Sequence, residues 1–416
     1  MPTLVFAFSR RDCERLAYRN QHRQLLNEDE QIRMHALQLE LIELFQMKER
    51  ELQGEVFQLA SSGIGYHHAG MLPVHKELVE RMFTSGLLKM LFTTETFALG
   101  INMPARTVVF HSLRKFDGVQ FDYLRTRDYM QMAGRAGRQG IDDAGLVVSF
   151  LDPDSLESAP MGRILHGQVE PVLSRFRLTY SSILHLLDRL GRERLHEAWE
   201  KSFNQYQHRE KTKKARERNS RIQRALLEAH LELLEDLGYV EDDGQTITAR
   251  GKLARLLYGY ELQITEMLFR GALENIPLRA LAIVFVGLVF EERRRGGGAY
   301  VSPRIFGGVR RHVDQVVRSL VRSEARYAIP VPMKTPDWGL SEVVVAWIEG
   351  ATFEDLEELT HVPAGDICRV FRMALQLVRQ VRRAIDPAWD LAERLDEVVL
   401  AMNRDEVDAR RQLEMG

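Results

Sequence analysis

The sequence predicts an α/β domain built on a parallel sheet, followed by two mainly helical regions. Three observations carry this expectation. Apolar runs of strand length alternate with helical patterns through residues 1–155, as in a helix-covered parallel sheet with right-handed crossovers. From residue 156 onward, apolar stripes at helical spacing take over, with domain boundaries expected at 155/156 and 259/260. Within the first region lies Gln131–Gly140, QMAGRAGRQG, which sets Arg135 and Arg138 three residues apart among glycines.

In chain order, Leu4–Phe8 is a continuous apolar run, as expected of a strand covered on both faces. Ser9 is an N-cap candidate for a helix over Arg10–Arg19. Asn20–Glu55 is charged and helix-favouring, with no Gly or Pro before Gly54, and is read as an excursion from the core. Gly63–Tyr66 leads into His67-His68-Ala69-Gly70, and Pro73–Phe83 is a helix with proline at its start. Leu87–Phe92 is a strand running into the turn Thr93-Thr94-Glu95-Thr96; Thr107–Phe110 and Leu146–Leu151 are further strands. KFDGVQF holds Asp117-Gly118, a two-residue hairpin turn. Parallel sheets bind ligands at the carboxyl ends of their strands, so His67, Thr93, Thr94 and the arginine loop are expected together there.

Asp152–Gly167 reads as a linker. Ser181–Leu190, Arg192–Ser202 and Ile222–Leu237 read as helices, and Tyr239–Thr248 as a hairpin turning at Asp243-Gly244. His208–Arg224 is strongly basic but carries Glu210 and Glu217, so a solvated helix and a phosphate contact both remain open. Tyr260–Phe290 is helical with a break near Pro277, and Gly296–Gly298 is a loop. Along Arg310–Arg326, Val309, Val313, Val316, Val317 and Leu320 form one stripe, while Arg311, Gln315, Arg318 and Arg322 line another. An apolar back and an arginine front suit a helix lying along a nucleic-acid backbone. Further on, Asp366 is a helix-start candidate, Val370, Phe371, Ala374, Val378 and Val381 make a buried face, and Trp347 and Trp389 are expected in the core.

Composition narrows the class. The chain has 416 residues, 45% of them hydrophobic, enough for two to four domains, and a formal net charge of −2. Any nucleic-acid site is therefore a local patch rather than a global field. Two cysteines, Cys13 and Cys368, fit a reducing compartment and cannot build a cysteine zinc site. No metal ligand set is expected. The longest apolar run, Leu281–Phe290, is too short to span a membrane, and MPTLVFAFSRR is a poor signal peptide. A cytoplasmic protein without membrane contact is the expectation.

Arg135 and Arg138 carry the chemistry. Guanidinium groups are planar, always charged and rich in donors, and two of them aimed at one point suit a triphosphate. Alone, the same residues could equally be a solvated basic turn.

Four stretches taken together decide between these. FSRRDCE, GIGYHHAGMLP, TTETFALGINMPARTVVF and YMQMAGRAGRQGID stand in an order that resembles the second RecA-like domain of superfamily 2 helicases. The resemblance is nearest to the exosome-cofactor branch of DExH-box RNA helicases. EPVLSRFRLTYSSILHLLDRL is similar to the start of that branch's winged-helix domain, and the last part of the chain to its C-terminal domain. The implied fold is α/β plus α: a RecA-like parallel sheet domain (1–155), a winged helix (156–259), and an α-helical bundle with a ratchet-like helix (260–416). The resemblance implies that Arg135 and Arg138 reach the γ-phosphate of ATP, that Gln131 and Gly134 line the cleft, and that Gly100 and Asn102 couple nucleotide to the nucleic-acid groove. It places Thr93, Thr94, His67, Arg311, Arg318 and Arg322 against RNA, and makes the 117–118 hairpin a duplex-parting element. The long arch of exosome-associated members is absent after SFNQYQ.

ATP and Mg2+ are the implied cofactors, held mainly by a first RecA-like domain with GxxxxGK(S/T) and DExH motifs. Neither motif is found here: the one Gly-Lys, Gly251-Lys252, has no Gly five residues before it. Asp405-Glu406-Val407-Asp408 spells DExD but no apolar strand precedes it, and it is read as a solvated face. The expectation is thus the C-terminal portion of an ATP-dependent RNA helicase, inactive without a first RecA-like domain supplied in trans or lost by truncation. The alternatives are a DNA-repair helicase of the same superfamily and a non-catalytic nucleic-acid-binding module.

Overall fold

Five short parallel strands organise the first part of the chain. In the computed structural model, Thr3–Phe6 (β1), Ile64–His67 (β2), Met90–Thr93 (β3), Thr107–Phe110 (β4) and, beyond the hairpin Arg114–Phe116 (β5) and Phe121–Tyr123 (β6), Leu146–Ser149 (β7) form these elements. The main sheet has the order β2-β3-β1-β4-β7, and every neighbouring pair is parallel. The structure describes residues 2–100, 103–116, 120–153, 157–174, 178–202, 206–207, 213–242, 244–292 and 303–410.

Crossover helices cover the sheet: Arg10–Asn20 (α1), Glu28–Leu44 (α2), Glu55–Ser61 (α3), Pro73–Thr84 (α4), Thr96–Gly100 (α5), Thr126–Ala133 (α6) and Met161–His166 (α7). Ser9 caps α1 through the Asp12 N–H, as its position before a helical run predicts. The excursion expected over Asn20–Glu55 is corrected: Met34, Leu41 and Ile42 of α2 are buried in the same core as the central strands. These apolar positions lie at i, i+7 and i+8, one helix face, which the surrounding charge obscures in the sequence. Asn27 and Glu30 close a reciprocal capping box at the start of α2.

By its internal contacts the chain divides into two compact units. The first comprises Met1–Pro171, Pro363–Asp366 and Asp408–Gly416; the second comprises Val172–Val362 and Ile367–Val407.

The second unit is mainly helical. It contains Tyr180–Glu200 (α8), Lys213–Asp236 (α9), the two-stranded hairpin Val240–Glu241 (β8) and Thr246–Ile247 (β9), Ala249–Ala254 (α10), Glu261–Phe269 (α11), Leu278–Val289 (α12), Pro303–Arg326 (α13), Ser341–Ile348 (α14), Phe353–Glu357 (α15), most of Ala364–Ala384 (α16) and Asp390–Met402 (α17). The helices expected at Ser181–Leu190 and Arg192–Ser202 are the two halves of α8, separated by Gly191 with φ 73°. Trp347 is fully buried between Phe353 and Phe371, as expected, with its indole N–H donated to the Met402 carbonyl. Trp389, expected in the core, is 48% exposed just before α17 and stands corrected. Asp405–Val407 is a short 3-10 turn held by buried Val407, not a freely solvated face.

Candidate nucleotide and nucleic-acid site

The geometry of the arginine loop follows from where α6 runs. The helix begins beyond β6 and ends at Ala133, and the chain then re-enters the sheet as β7. The loop is therefore fixed at the strand-entry end. Ala136 bridges Ala105, just before β4, the Ala105 N–H donates to the Arg135 carbonyl, and the Leu146 N–H donates to the Arg106 carbonyl. This corrects the expectation that the loop shares the carboxyl ends of the strands with His67 and Thr94. The two groups lie at opposite ends of the strands because α6 returns antiparallel to them.

At the strand-entry end, Arg135 donates through Nη2 to the Ala98 carbonyl in α5. Arg138 pairs bidentately with Asp142: Nε to Oδ2 at 2.8 Å and Nη2 to Oδ1 at 2.9 Å, while its own backbone N–H reaches Oδ2 at 3.0 Å. This side-on pairing uses the Nε edge of the guanidinium. The Nη1 edge keeps the two-donor fork that a phosphate accepts. The Arg138 side chain is 27% exposed and Asp142 only 5%. Gln131 and Gly134 are exposed beside this loop.

Glycines let the loop close. Gly137 and Gly140 have φ of 89° and 76°, where other residues are strained. Gly145 lies so near the chain that a Cβ would sit 2.4 Å from the Ala136 carbonyl carbon and 2.6 Å from the Gly137 nitrogen. Gly145→Ala is therefore expected to push the arginine loop off β7 and to destabilise the first unit by ~1–3 kcal/mol, measured by urea denaturation. Unchanged stability would contradict the contact.

The ion pair also sets a pH response. The Arg138 hydrogen bonds, opposed by partial desolvation and helped by the Arg138 backbone N–H, hold the Asp142 carboxyl down to about 2 from 3.8. A depressed folded pKa gives stability that is present above the unfolded value and lost as pH falls through the folded one. Wild type should thus exceed Asp142→Asn in stability at pH 7 and lose that advantage as pH falls below 4 toward 2. Urea midpoints at pH 7 and at acid pH check this.

At the strand-exit end, His67 and Thr93 close β2 and β3 opposite one another. Their side chains face inward. Thr93 is fully buried and its hydroxyl donates to the His67 carbonyl at 2.9 Å. His67 is 5% exposed, bonded through Nε2 to Glu80 at 2.7 Å and set edge-on to Phe97. These two side chains hold the rim of the sheet, so any contact with RNA at these two positions falls to the backbone. Thr94 is different: its hydroxyl is exposed and, among the described residues, bonded to that of Thr96. Gly100 ends α5, and Asn102 lies outside the described residues.

The segment Thr94–Ala105 thus leaves the sheet at the strand-exit end of β3 and returns at the strand-entry end of β4, with Arg135 bonded to its middle. Beside it stands the β5–β6 hairpin, whose Phe116 and Phe121 are 53% and 64% exposed, their rings 5.4 Å apart between centroids and tilted by 53°. Asp117 and Gly118 lie outside the described residues. Lys115 ties the hairpin's base to Glu95 and to Asp128 of α6. Sequence reasoning missed Glu95, Asp128 and Asp142. Only the i,i+4 spacing of Arg138 and Asp142 offered a signal.

In the second unit, α13 turns Val313, Val316, Val317 and Leu320 into the core. Arg311, Arg318 and Arg322 are all exposed, and Arg318 makes a 3.4 Å contact with Asp314. Beneath them buried Glu324 accepts the Tyr180 hydroxyl at 2.7 Å and the Met333 N–H at 2.6 Å, which fixes the helix from behind. Burial raises the Glu324 pKa. Among the described residues, no group of three or more His, Cys, Asp or Glu could hold a metal ion.

A parallel sheet with paired arginines at one end and a threonine-rich loop at the other is the class of a helicase C-terminal domain, and residues 38–140 match the "Helicase conserved C-terminal domain". Residues 244–409 match the "DSHCT (NUC185) domain". The chain belongs to the DExH-box RNA helicases whose members include the exosome and Superkiller helicases. It is 43% identical over 211 residues to Exosome RNA helicase MTR4 of Homo sapiens, covering 50% of this chain and 20% of that protein. It is 37% identical over 300 residues to Superkiller complex protein 2 of Mus musculus, covering 70% of this chain and 23% of that protein. DExH-box ATP-dependent RNA helicase DExH11 of Arabidopsis thaliana is 38% identical over 245 residues, 58% of this chain and 18% of its own length. The chain thus spans about a fifth of the length of these relatives.

Proposed function

We propose that this chain supplies the arginine-bearing wall of an ATP-hydrolysing cleft and the groove that grips RNA, and that a first RecA-like domain supplies the other wall. The observation that carries this reading is the path of Thr94–Ala105. It links the strand-exit end, where the Thr94 hydroxyl is exposed, to the strand-entry end, where Arg135 binds its Ala98 carbonyl. A phosphate drawing on Arg135 bears on the same segment that would touch a nucleic-acid strand, which is what coupling hydrolysis to translocation requires.

In this reading the guanidinium groups of Arg135 and Arg138 stabilise charge on the transferring γ-phosphoryl, and Gln131 and Gly134 line the cleft. Gly100 and Asn102 lie on the coupling segment. Mg2+ is held by the nucleotide and the first domain. Thr94 contacts the RNA backbone, His67 and Thr93 position it, and Arg311, Arg318 and Arg322 line the groove from a ratchet-like helix. The β8–β9 hairpin and its flanking helices act as a winged helix. RNA is favoured over DNA because the relatives are RNA helicases by name.

The test is RNA-stimulated ATP hydrolysis by the chain alone and after mixing with a first RecA-like domain from a relative. Activity only on mixing supports the reading. Hydrolysis by the chain alone contradicts the need for a second wall, and none in either case leaves a binding module.

The exposed Phe116–Phe121 pair gives the hairpin a stacking surface suited to an unpaired base. Phe116→Ala with Phe121→Ala is expected to lower duplex unwinding several-fold while leaving ATP turnover nearly intact. Equal losses would remove the hairpin from strand separation.

A further inference from the structure

The helix that leads to the arginines does not cap itself. Arg125 stands at the N-cap of α6 with extended backbone and gives no side-chain hydrogen bond. A helix of eight residues starting this way leaves donors orphaned in its first turn. They are satisfied from far along the chain: the Thr126 N–H donates to Glu170 Oε1 and the Arg127 N–H to Glu170 Oε2, both at 3.0 Å.

The connection is built to deliver that carboxylate. The Thr126 hydroxyl donates to the Arg163 carbonyl at 2.7 Å at the end of α7, and Ile164 is fully buried. Gly167 passes so close that a Cβ would lie 2.8 Å from the Thr126 hydroxyl. Val169 is left 59% exposed while Glu170 turns inward, an orientation that hydrophobicity alone would reverse. The charge also sits against the positive end of the helix. Desolvation, which would raise the Glu170 pKa, is outweighed by the backbone N–H groups of Arg127, of Glu170 itself and of Thr126, and the pKa is lowered.

We propose that Glu170 is a positioning residue for Arg135 and Arg138: it fixes the start of the short helix whose other end leads into them, one residue before the Met1–Pro171 stretch of the first unit ends. The role rests on the function proposed above.

Hydrogen exchange of the 123–134 segment in Glu170→Ala and Glu170→Gln tests the cap without reference to activity. Exchange is expected to rise about fivefold in the Ala variant and less in the Gln variant, whose amide oxygen still accepts one N–H. In a 1:1 mixture with a first RecA-like domain, kcat for RNA-stimulated hydrolysis is expected to fall about three- to tenfold with KM for ATP unchanged. Unchanged exchange overturns the cap. Faster exchange with unchanged kcat, while Arg138→Ala is inactive, overturns the positioning role alone. If Arg138→Ala hydrolyses as wild type, or the wild-type mixture is inactive, the proposed function fails and the positioning role falls with it.

Discussion

Replacing Arg138 by alanine, in a mixture of this chain with a first RecA-like domain, is expected to lower kcat for ATP hydrolysis by about 10³-fold or more, and Arg135→Ala to do the same. The loss is large because a guanidinium aimed at developing charge acts where water is excluded and no reorganisation is needed. Lysine keeps the charge but not the fork, so Arg138→Lys is expected to restore only a small part of the rate. One complication follows from the structure. Removing Arg138 strands Asp142, whose side chain is 5% exposed, and an unpaired carboxylate destabilises the loop by itself. The double variant Arg138→Ala with Asp142→Asn removes that charge. If it stays inactive while its melting temperature returns toward wild type, the loss belongs to chemistry. If activity returns with stability, Arg138 is structural.

The second large effect concerns the arginine face of α13. Changing Arg311, Arg318 and Arg322 together to Glu is expected to weaken single-stranded RNA binding by about 100-fold or more. Each lost phosphate contact removes ~0.7 from the slope of log affinity against log salt, so three remove ~2. The fold should survive, because all three side chains are exposed while Glu324 and the Val313–Leu320 stripe hold the helix from the other side. Fluorescence anisotropy across a salt series measures both quantities. An unchanged slope would take the helix out of the RNA path.

The sequence made the sheet legible because buried parallel strands must be continuously apolar, as Leu4–Phe6 and Leu91–Phe92 are. It made the α13 face legible because only a 3.6 period puts Val313, Val316, Val317 and Leu320 together and the arginines elsewhere. The arginine pair was visible in its spacing. Its location at the strand-entry end was not, since that depends on the return path of α6. The burial of the His67 and Thr93 side chains was not legible for a related reason. Residues at the ends of strands look like loop residues in sequence, but Glu80 and the His67 carbonyl reach them from elements remote in the chain. Glu170 was invisible for the same cause: a cap normally lies beside its helix, and this one arrives 44 residues later.

In the proposed function these arginines close a cleft whose other wall lies in a first RecA-like domain. The most direct measurement is the affinity between this chain and such a domain, with RNA present, without nucleotide and with ADP plus aluminium fluoride as a mimic of the transferring phosphoryl group. Because the mimic would bind both walls at once, association is expected to tighten about 100-fold or more, and the gain to vanish in the Arg135→Ala, Arg138→Ala variant. Equal affinity with and without the mimic, or a gain that survives loss of both arginines, would contradict it.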